Sequence, residues 1–302
     1  GFCDYGYGPT VCSYGDMDNG SFSDDPNDPV NPWFMSTLFK APGPITAPAS
    51  LSVDEKENAW VFFGTGRYFT DNDAANNDQQ SFYGIKDPFF NKEHDTAANC
   101  DLRGGCVFGD GSYHNNDLSL TLDTTYLFDA NPYTIVNGGQ VYTGTSGNYN
   151  YFGDFSYLID EAELKDGWHK KLLFSRVRTV TKPAIAGSIV FASTFKPTNA
   201  LCEPGGESFL YSFYYKTGTP YMKSVFTGTG KSIVIDSETK EKVVGIIDLG
   251  EGLVSGPIVH LGDQGPKKGT IFVQKSTGEN IGFEVDLANT PRSTLKSWID
   301  KR

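Results

Sequence analysis

The sequence predicts an all-β protein, a β-propeller of four-stranded antiparallel blades carrying loop insertions. Three observations predict it. Aromatic residues make up 14% of the chain, with 22 Phe and 16 Tyr, and such rings fit pleated sheet surfaces. Gly (34) and Pro (16) recur throughout and supply tight turns between short strands. One strand grammar then occurs three times along the chain, which is the signature of a repeat fold.

The first copy is "PWFMSTLFKAPGPITAPASLSVDEKENAWVFFGTGRYF" followed by "QSFYGIKD". The second is "GWHKKLLFSRVRTVTKPAIAGSIVFASTF" with "GESFLYSFYYKTG". The third is "VVGIIDLGEGLVSGPIVHLGDQGPKKGTIFVQKSTG" with "NIGFEVDL". Each opens on a short apolar strand and reaches a Ser/Thr-x-Pro at Thr46–Pro48, Thr181–Pro183 or Ser255–Pro257. A strand and a turn follow. Next comes a strongly apolar strand at Trp60–Phe63, Ser188–Phe191 or Thr270–Val273. A partly alternating strand closes the copy at Phe82–Ile85, Phe209–Tyr214 or Ile281–Val285. Four strands per copy is the pattern of a propeller blade.

The glycines of "VFFGTGRYF" therefore read as the bend at the end of a buried strand. A phosphate loop would need Gly-Lys-Ser/Thr and a helix, and Arg67 with two aromatics stands there instead. The chain divides into an N-terminal disulfide loop and opening strand (1–32), a blade (33–90), an insertion or divergent blade (91–163), a blade (168–220) and a final blade with closure (221–302). Within the insertion, "YTIVNGGQVYTGT" predicts a hairpin turned at Asn137-Gly138. Short helices are expected at Ile159–Lys165 and Ser293–Trp298. A closed ring needs about four blades or more, so three clear copies point to a ring begun earlier in a longer polypeptide. A smaller closed ring is the alternative. The opening "GFCDYGYGP" reads as a mature end or the start of a fragment.

A net charge of -12 repels phosphate backbones and argues against nucleic acid as a partner. No run approaches the ~20 apolar residues of a membrane span. Cys3 with Cys12, and Cys100 with Cys106, are close in sequence and set in polar loops, the pattern of local disulfides in an oxidising compartment. Metal binding by these pairs is the weaker reading, because neither is C-x-x-C. Cys202 is left over, either free and buried or paired with a segment outside this chain.

Acidic residues gather twice, as Asp71, Asp73 and Asp78 and as Asp16, Asp18, Asp24 and Asp25. Calcium takes 6–8 oxygens, which Asp/Asn loops can offer, and the first cluster is the favoured metal site. A solvated acidic loop is the alternative at each. No nucleophile elbow occurs, and His94, His114, His169 and His260 are scattered. Glu161 and Glu163 would act as an acid–base pair only if a cleft joined them. In "GNYNYFGDF", Tyr149, Tyr151, Phe152 and Phe155 could stack on sugar rings beside Asp154. A carbohydrate-binding or glycan-active secreted propeller is therefore the second functional class.

The stretches "WVFFGTGRYFT…QSFYGIKD", "GWHKKLLFSRVRTVTKPAIAGSIVFASTFKPTNALCEPGGESFLY" and "SGPIV…STGENIGFEV…SWIDKR" resemble the C-terminal propeller of the PilY (PilC) family, the type IV pilus tip-associated adhesins and assembly factors. The resemblance thins between about Asn91 and Glu163. It implies a non-catalytic extracellular protein in adhesion or pilus assembly. The implied partners are minor pilins or other pilus-tip subunits, or a host, mineral or cell surface. The family's acidic calcium loop is not visible before Gly15-Asp16; it lies upstream or is replaced by the Cys3/Cys12 loop. On this frame, contacts are expected on the Asp71–Asp78 loop, the Cys100–Cys106 loop and the Tyr149–Phe155 loop, where Tyr149, Tyr151, Phe152 and Asp154 would meet a ligand or partner.

Overall fold

The computed structural model describes residues 37–87, 121–198, 205–261 and 267–290, apart from 57, 146–147, 228–229 and 236. All five cysteines, the Asp16–Asp25 cluster, His94, His114 and the expected Ser293–Trp298 helix lie outside them. The described chain is mostly strand, arranged in several antiparallel sheets with no closed barrel. Among the described residues no helix is long and apolar enough to cross a membrane.

The first sheet is built on β1 (Ser50–Val53), β2 (Ala59–Gly64) and β3 (Ser81–Lys86). It is extended by β8 (Gly167–Lys171) and the two-residue β4 (Phe128–Asp129), in the order β1-β2-β3-β8-β4. Trp60, Phe62 and Phe63 are all buried along β2, so both faces of that strand pack. Gly66 then turns the chain at φ 137°, a backbone region that favours glycine. The segment sits against Arg178 and Thr179, where side chains on Gly64 and Gly66 would collide.

The second sheet has the order β14 (Ile246–Glu251), β11 (Gly206–Tyr214), β10 (Ile189–Pro197), β9 (Ala184–Ala186). Its two middle strands are buried almost end to end, as expected of strands covered on both faces. The third sheet is β15 (Ile258–His260), β16 (Lys268–Gln274) and β17 (Asn280–Asp286). The three expected copies are thus three sheets, with one correction. The apolar strand that opens the second copy pairs with β3, and the strand that opens the third pairs with β11. Each therefore completes the preceding sheet. A repeat can be divided at any strand in sequence, and hydrogen bonding divides this one a strand later.

The Ser/Thr-x-Pro motif has one role in all three sheets. It lies just before the edge strand β1, β9 or β15, and its hydroxyl bonds the backbone of the second strand or of the residues just after it. Thr46 donates to Gly66 O at 2.7 Å, Thr181 to Ser193 O at 3.4 Å, and Ser255 accepts from Gln274 N at 3.0 Å. The edge strands adjoin, β9 touching both β1 and β15, and Ser50 donates to Pro183 O at 2.6 Å between sheets. One core runs through the stack. Phe82 of the first sheet lies against Phe213 of the second at 5.0 Å, and Phe226 joins Phe191 of the second to Phe283 of the third. A smaller cluster, including Phe63, Tyr83 and Phe39, covers the other face of the first sheet.

In chain order the described part of the 91–163 region enters between β3 and β8, which pair directly with each other: β5 (Tyr133–Ile135), β6 (Gln140–Thr145) and β7 (Asn148–Asp154) form a three-stranded sheet of their own, followed by helix α2 (Phe155–Glu163). The expected hairpin is present, with Gly138 and Gly139 at φ 98° and 92°. The helix begins four residues before the expected Ile159, because Phe155, Leu158 and Ala162 form one apolar stripe on the core. The exposed hairpin of β12 (Gly230–Ile235) and β13 (Glu238–Val243) leans on this insertion, where Asn137 bonds Glu241 by backbone and side chain.

Candidate functional site

Two surfaces contain sequence-predicted site residues. The first is an open cleft of about 310 Å³ between the Pro42–Pro44 segment and residues 73–80. Its wall begins with helix α1 (Asp71–Ala75), which the pattern Thr70-x-x-Asp73 starts as a capping box. Asp73 N donates to Thr70 Oγ1 at 3.2 Å, and Asp73 Oδ2 accepts from the amides of Phe69 and Thr70 at 3.0 Å each. The other oxygen, Oδ1, accepts from Arg67 Nε at 2.7 Å. That arginine, aided by the amides, holds the Asp73 pKa down at about 2.

Arg178 forms the floor and is buried. Its guanidinium donates to the carbonyls of Arg67, Asp73 and Asn76, with Arg67 O at 2.8 Å and Asn76 O at 3.1 Å, and its Nε to Arg176 O at 3.0 Å. Burial, with the charge of Arg176, presses its pKa below the ordinary value. One arginine thus pins the whole 67–76 turn onto the second sheet's leading segment. At the rim, exposed Asp78 accepts from Asn76 Nδ2 at 2.9 Å.

The expected calcium set of Asp71, Asp73 and Asp78 is not assembled here. Asp73 is committed to Arg67 and two amides, while Asp71 and Asp78 stand exposed. Among the described residues no three His, Cys, Asp or Glu side chains gather closely enough to hold a metal. These residues do not fit a calcium site.

The second surface is β7. Strand alternation divides its expected contact residues between two faces. Tyr151 is 59% exposed, lies across from Tyr142 at 5.6 Å, and donates to Asp154 Oδ1 at 3.0 Å. That bond raises the Tyr151 pKa. It also occupies Asp154 at the N-cap of α2, where it makes no capping bond of its own. Tyr149 is half-buried against Val136, Tyr142 and Ile235. Phe152 points the other way, 4.9 Å from Tyr133 and 5.3 Å from Tyr157, and Phe155 is buried against Tyr214 and Tyr221. So Tyr151 and Asp154 form a contact pair. Phe152 and Phe155 belong to packing.

The considered Glu161–Glu163 pair is also separated. Glu161 accepts a hydrogen bond from Tyr157, whereas Glu163 accepts from Lys216 at 2.6 Å and Lys56 at 2.7 Å. Lys216 is buried and also bonds Glu55, whose other oxygen accepts from Tyr215 at 2.5 Å. This clamp ties the β1–β2 turn, α2 and the end of β11 together. Sequence reading missed it because its members are 160 and 161 residues apart. The capping box at Thr70 was the one local signal available for the cleft. Nothing local marked Arg178 or Gln80.

No protein-family model matches the chain, and no curated protein matches it either. The fold is similar to the crystal structure of the Pseudomonas aeruginosa PilY1 C-terminal domain, at 18% identity and a TM-score of 0.46. The likeness covers 81% of this chain and 45% of that one, so this chain spans less than half the length of the structure it resembles.

Proposed function

We propose that this chain is a non-catalytic, exported surface protein of the type IV pilus, acting in adhesion or pilus assembly. The reading takes the three stacked sheets as consecutive blades of a propeller. One observation carries it. The residues behind the family resemblance, the Ser/Thr-x-Pro hydroxyls and the buried strands β2 and β10, are the frame that holds the sheets together. The 71–80 segment and β7 then stand as surface additions on that frame, where contacts belong. The partners in this reading are minor pilins or other pilus-tip subunits, or a host, mineral or cell surface.

Tyr151 with Asp154 favours a second reading, a carbohydrate-binding propeller. A fixed, exposed ring beside a carboxylate can stack on a sugar and bond its hydroxyls. Co-sedimentation with sheared type IV pili separates the two readings. Binding that Tyr151→Ala weakens supports the pilus reading. A folded chain that stays in the supernatant contradicts it.

A further inference from the structure

We propose that two copies of this chain pair through β12, edge to edge and antiparallel across a two-fold axis, into one sheet of order β13-β12-β12-β13. An edge strand is a template for another chain unless it is blunted, and among the described residues the other sheet edges are blunted. Strands β7 and β14 carry bulges, and β4 has two residues. The outer side of β17 is bonded by Val225 and Thr227, and that of β5 by β13. The edges β1 and β15 adjoin β9. Strand β12 is regular and open: all six of its residues pair with β13 in unbroken register, and no other described strand joins it.

The backbone sets the register. Glu241 O accepts from Asn137 N at 2.8 Å, so that carbonyl points away from β12. Ser232, directly opposite Glu241, therefore turns its own N–H and C=O outward. Alternation does the same for Val234, whose side chain is exposed. A pairing centred on Ile233 lets Ser232 of each copy exchange both bonds with Val234 of the other. It sets one Ile233 against the other and covers both Val234 side chains.

Charge selects a second copy as the occupant. On one face of the hairpin Lys231 and Lys242 stand directly opposite each other, which destabilises a lone ribbon. Burial and the charge of Lys231 press the Lys242 pKa below its ordinary value. At the other end of that face lies Glu238, across from Ile235. Its side chain is 73% exposed, and Lys240 meets only its Oε2, at 3.1 Å. Pairing centred on Ile233 joins these opposite ends, and the two-fold does so twice. Each end row then reads Lys242, Lys231, and next Ile235 and Glu238 of the second copy, all on one face. Lys231 and that Glu238 are two strand spacings apart, about 10 Å between Cα atoms, which their long side chains span. The net charge of -12 on each copy is screened beyond about 8 Å at physiological salt, so the local pairs decide.

The test is sedimentation velocity of the full chain across a concentration series, with amide hydrogen exchange of β12. The chain should dimerise reversibly, and the Ser232 and Val234 amides should exchange about tenfold more slowly in the dimer. Val234→Pro removes an outward N–H and spares the hairpin's own ladder, so it should leave a folded monomer. Lys231→Glu and Glu238→Lys should each weaken the dimer about tenfold, and the two together should restore it. Repulsion between whole chains would instead make Glu238→Lys tighten the dimer. A monomer at every concentration overturns the proposal, as does a dimer that persists in Val234→Pro and in both single charge variants. So does protection of β12 that appears only when sheared pili are added, which would assign the edge to a pilus subunit. A chain that dimerises but stays off pili contradicts the pilus reading alone, whereas a monomer found on pili contradicts only the dimer.

Discussion

Gly218 and Trp168 compete for one space. Gly218 sits at φ 67°, and a side chain there would overlap the indole of Trp168, whose Nε1 donates to Tyr215 O at 2.6 Å. Gly84, directly across from Trp168 in the sheet, is bare for the same reason. The indole is thus gripped between β3 of the first sheet and the turn that ends β11 of the second. It locks β8 against β3 in the first sheet.

Gly218→Ala combines overpacking with a strained left-handed backbone, so it should cost about 2–4 kcal/mol. Urea unfolding reads this directly. A loss under about 0.5 kcal/mol would show that the grip on Trp168 is loose.

Phe191 is fully buried in the main core, and Phe63 is 5% exposed in the smaller cluster. Phe191→Ala should cost about 3–5 kcal/mol, and Phe63→Ala toward the lower end of that range. Wild-type melting in both variants would mean that the strand register is wrong.

The Lys216 clamp predicts a pH profile. Burial opposes ionisation of Glu55, but hydrogen bonds from Lys216 and Tyr215 outweigh it and bring its pKa from 4.5 to about 2. Burial likewise opposes the charge on Lys216, yet Glu163 and Glu55 raise its pKa from 10.5 to about 12. A lowered carboxylate contributes stability above 4.5 that is lost as pH falls through 2; a raised lysine contributes below 10.5 and loses it as pH rises through 12. Lys216→Met should flatten both limbs. Its cost at neutral pH should be about 1–3 kcal/mol, below the ~3–5 of a fully buried pair, because Glu55 remains 56% exposed. Unchanged acid and alkaline limbs, measured by denaturation across pH, would contradict the clamp.

Tyr151→Ala removes an exposed ring held by one bond to Asp154 and one ring contact with Tyr142. Its stability should stay within about 0.5 kcal/mol of wild type while binding to pili or a surface falls. A large loss of stability would place Tyr151 in the core instead of at a contact.

The frame was readable because it is local. The Ser/Thr-x-Pro motif, the Trp60–Phe63 run and the Asn137-Gly138 turn are each written in a few consecutive residues, and the Ser/Thr-x-Pro hydroxyls reach no further than 20 residues along the chain. What was not readable is pairing at a distance. Trp168 looked like the start of a sheet because its spacing fits one, and only Gly84 and Gly218 show which sheet it closes. Asp73 looked like a metal ligand because composition does not reveal Arg67 folding back across the helix start. On β7, alternation was legible in principle, yet Phe152 and Phe155 were grouped with Tyr151 by ring chemistry alone. Strand direction separates Phe152, and the start of α2 turns Phe155 into the core.

The central claim is that this chain works on the outside of the cell as a pilus-associated contact protein. Immunogold electron microscopy of native cells, with antibody against this chain, tests it most directly. The account predicts label at the ends or bases of thin filaments. Label spread over the cell body, away from filaments, would contradict it.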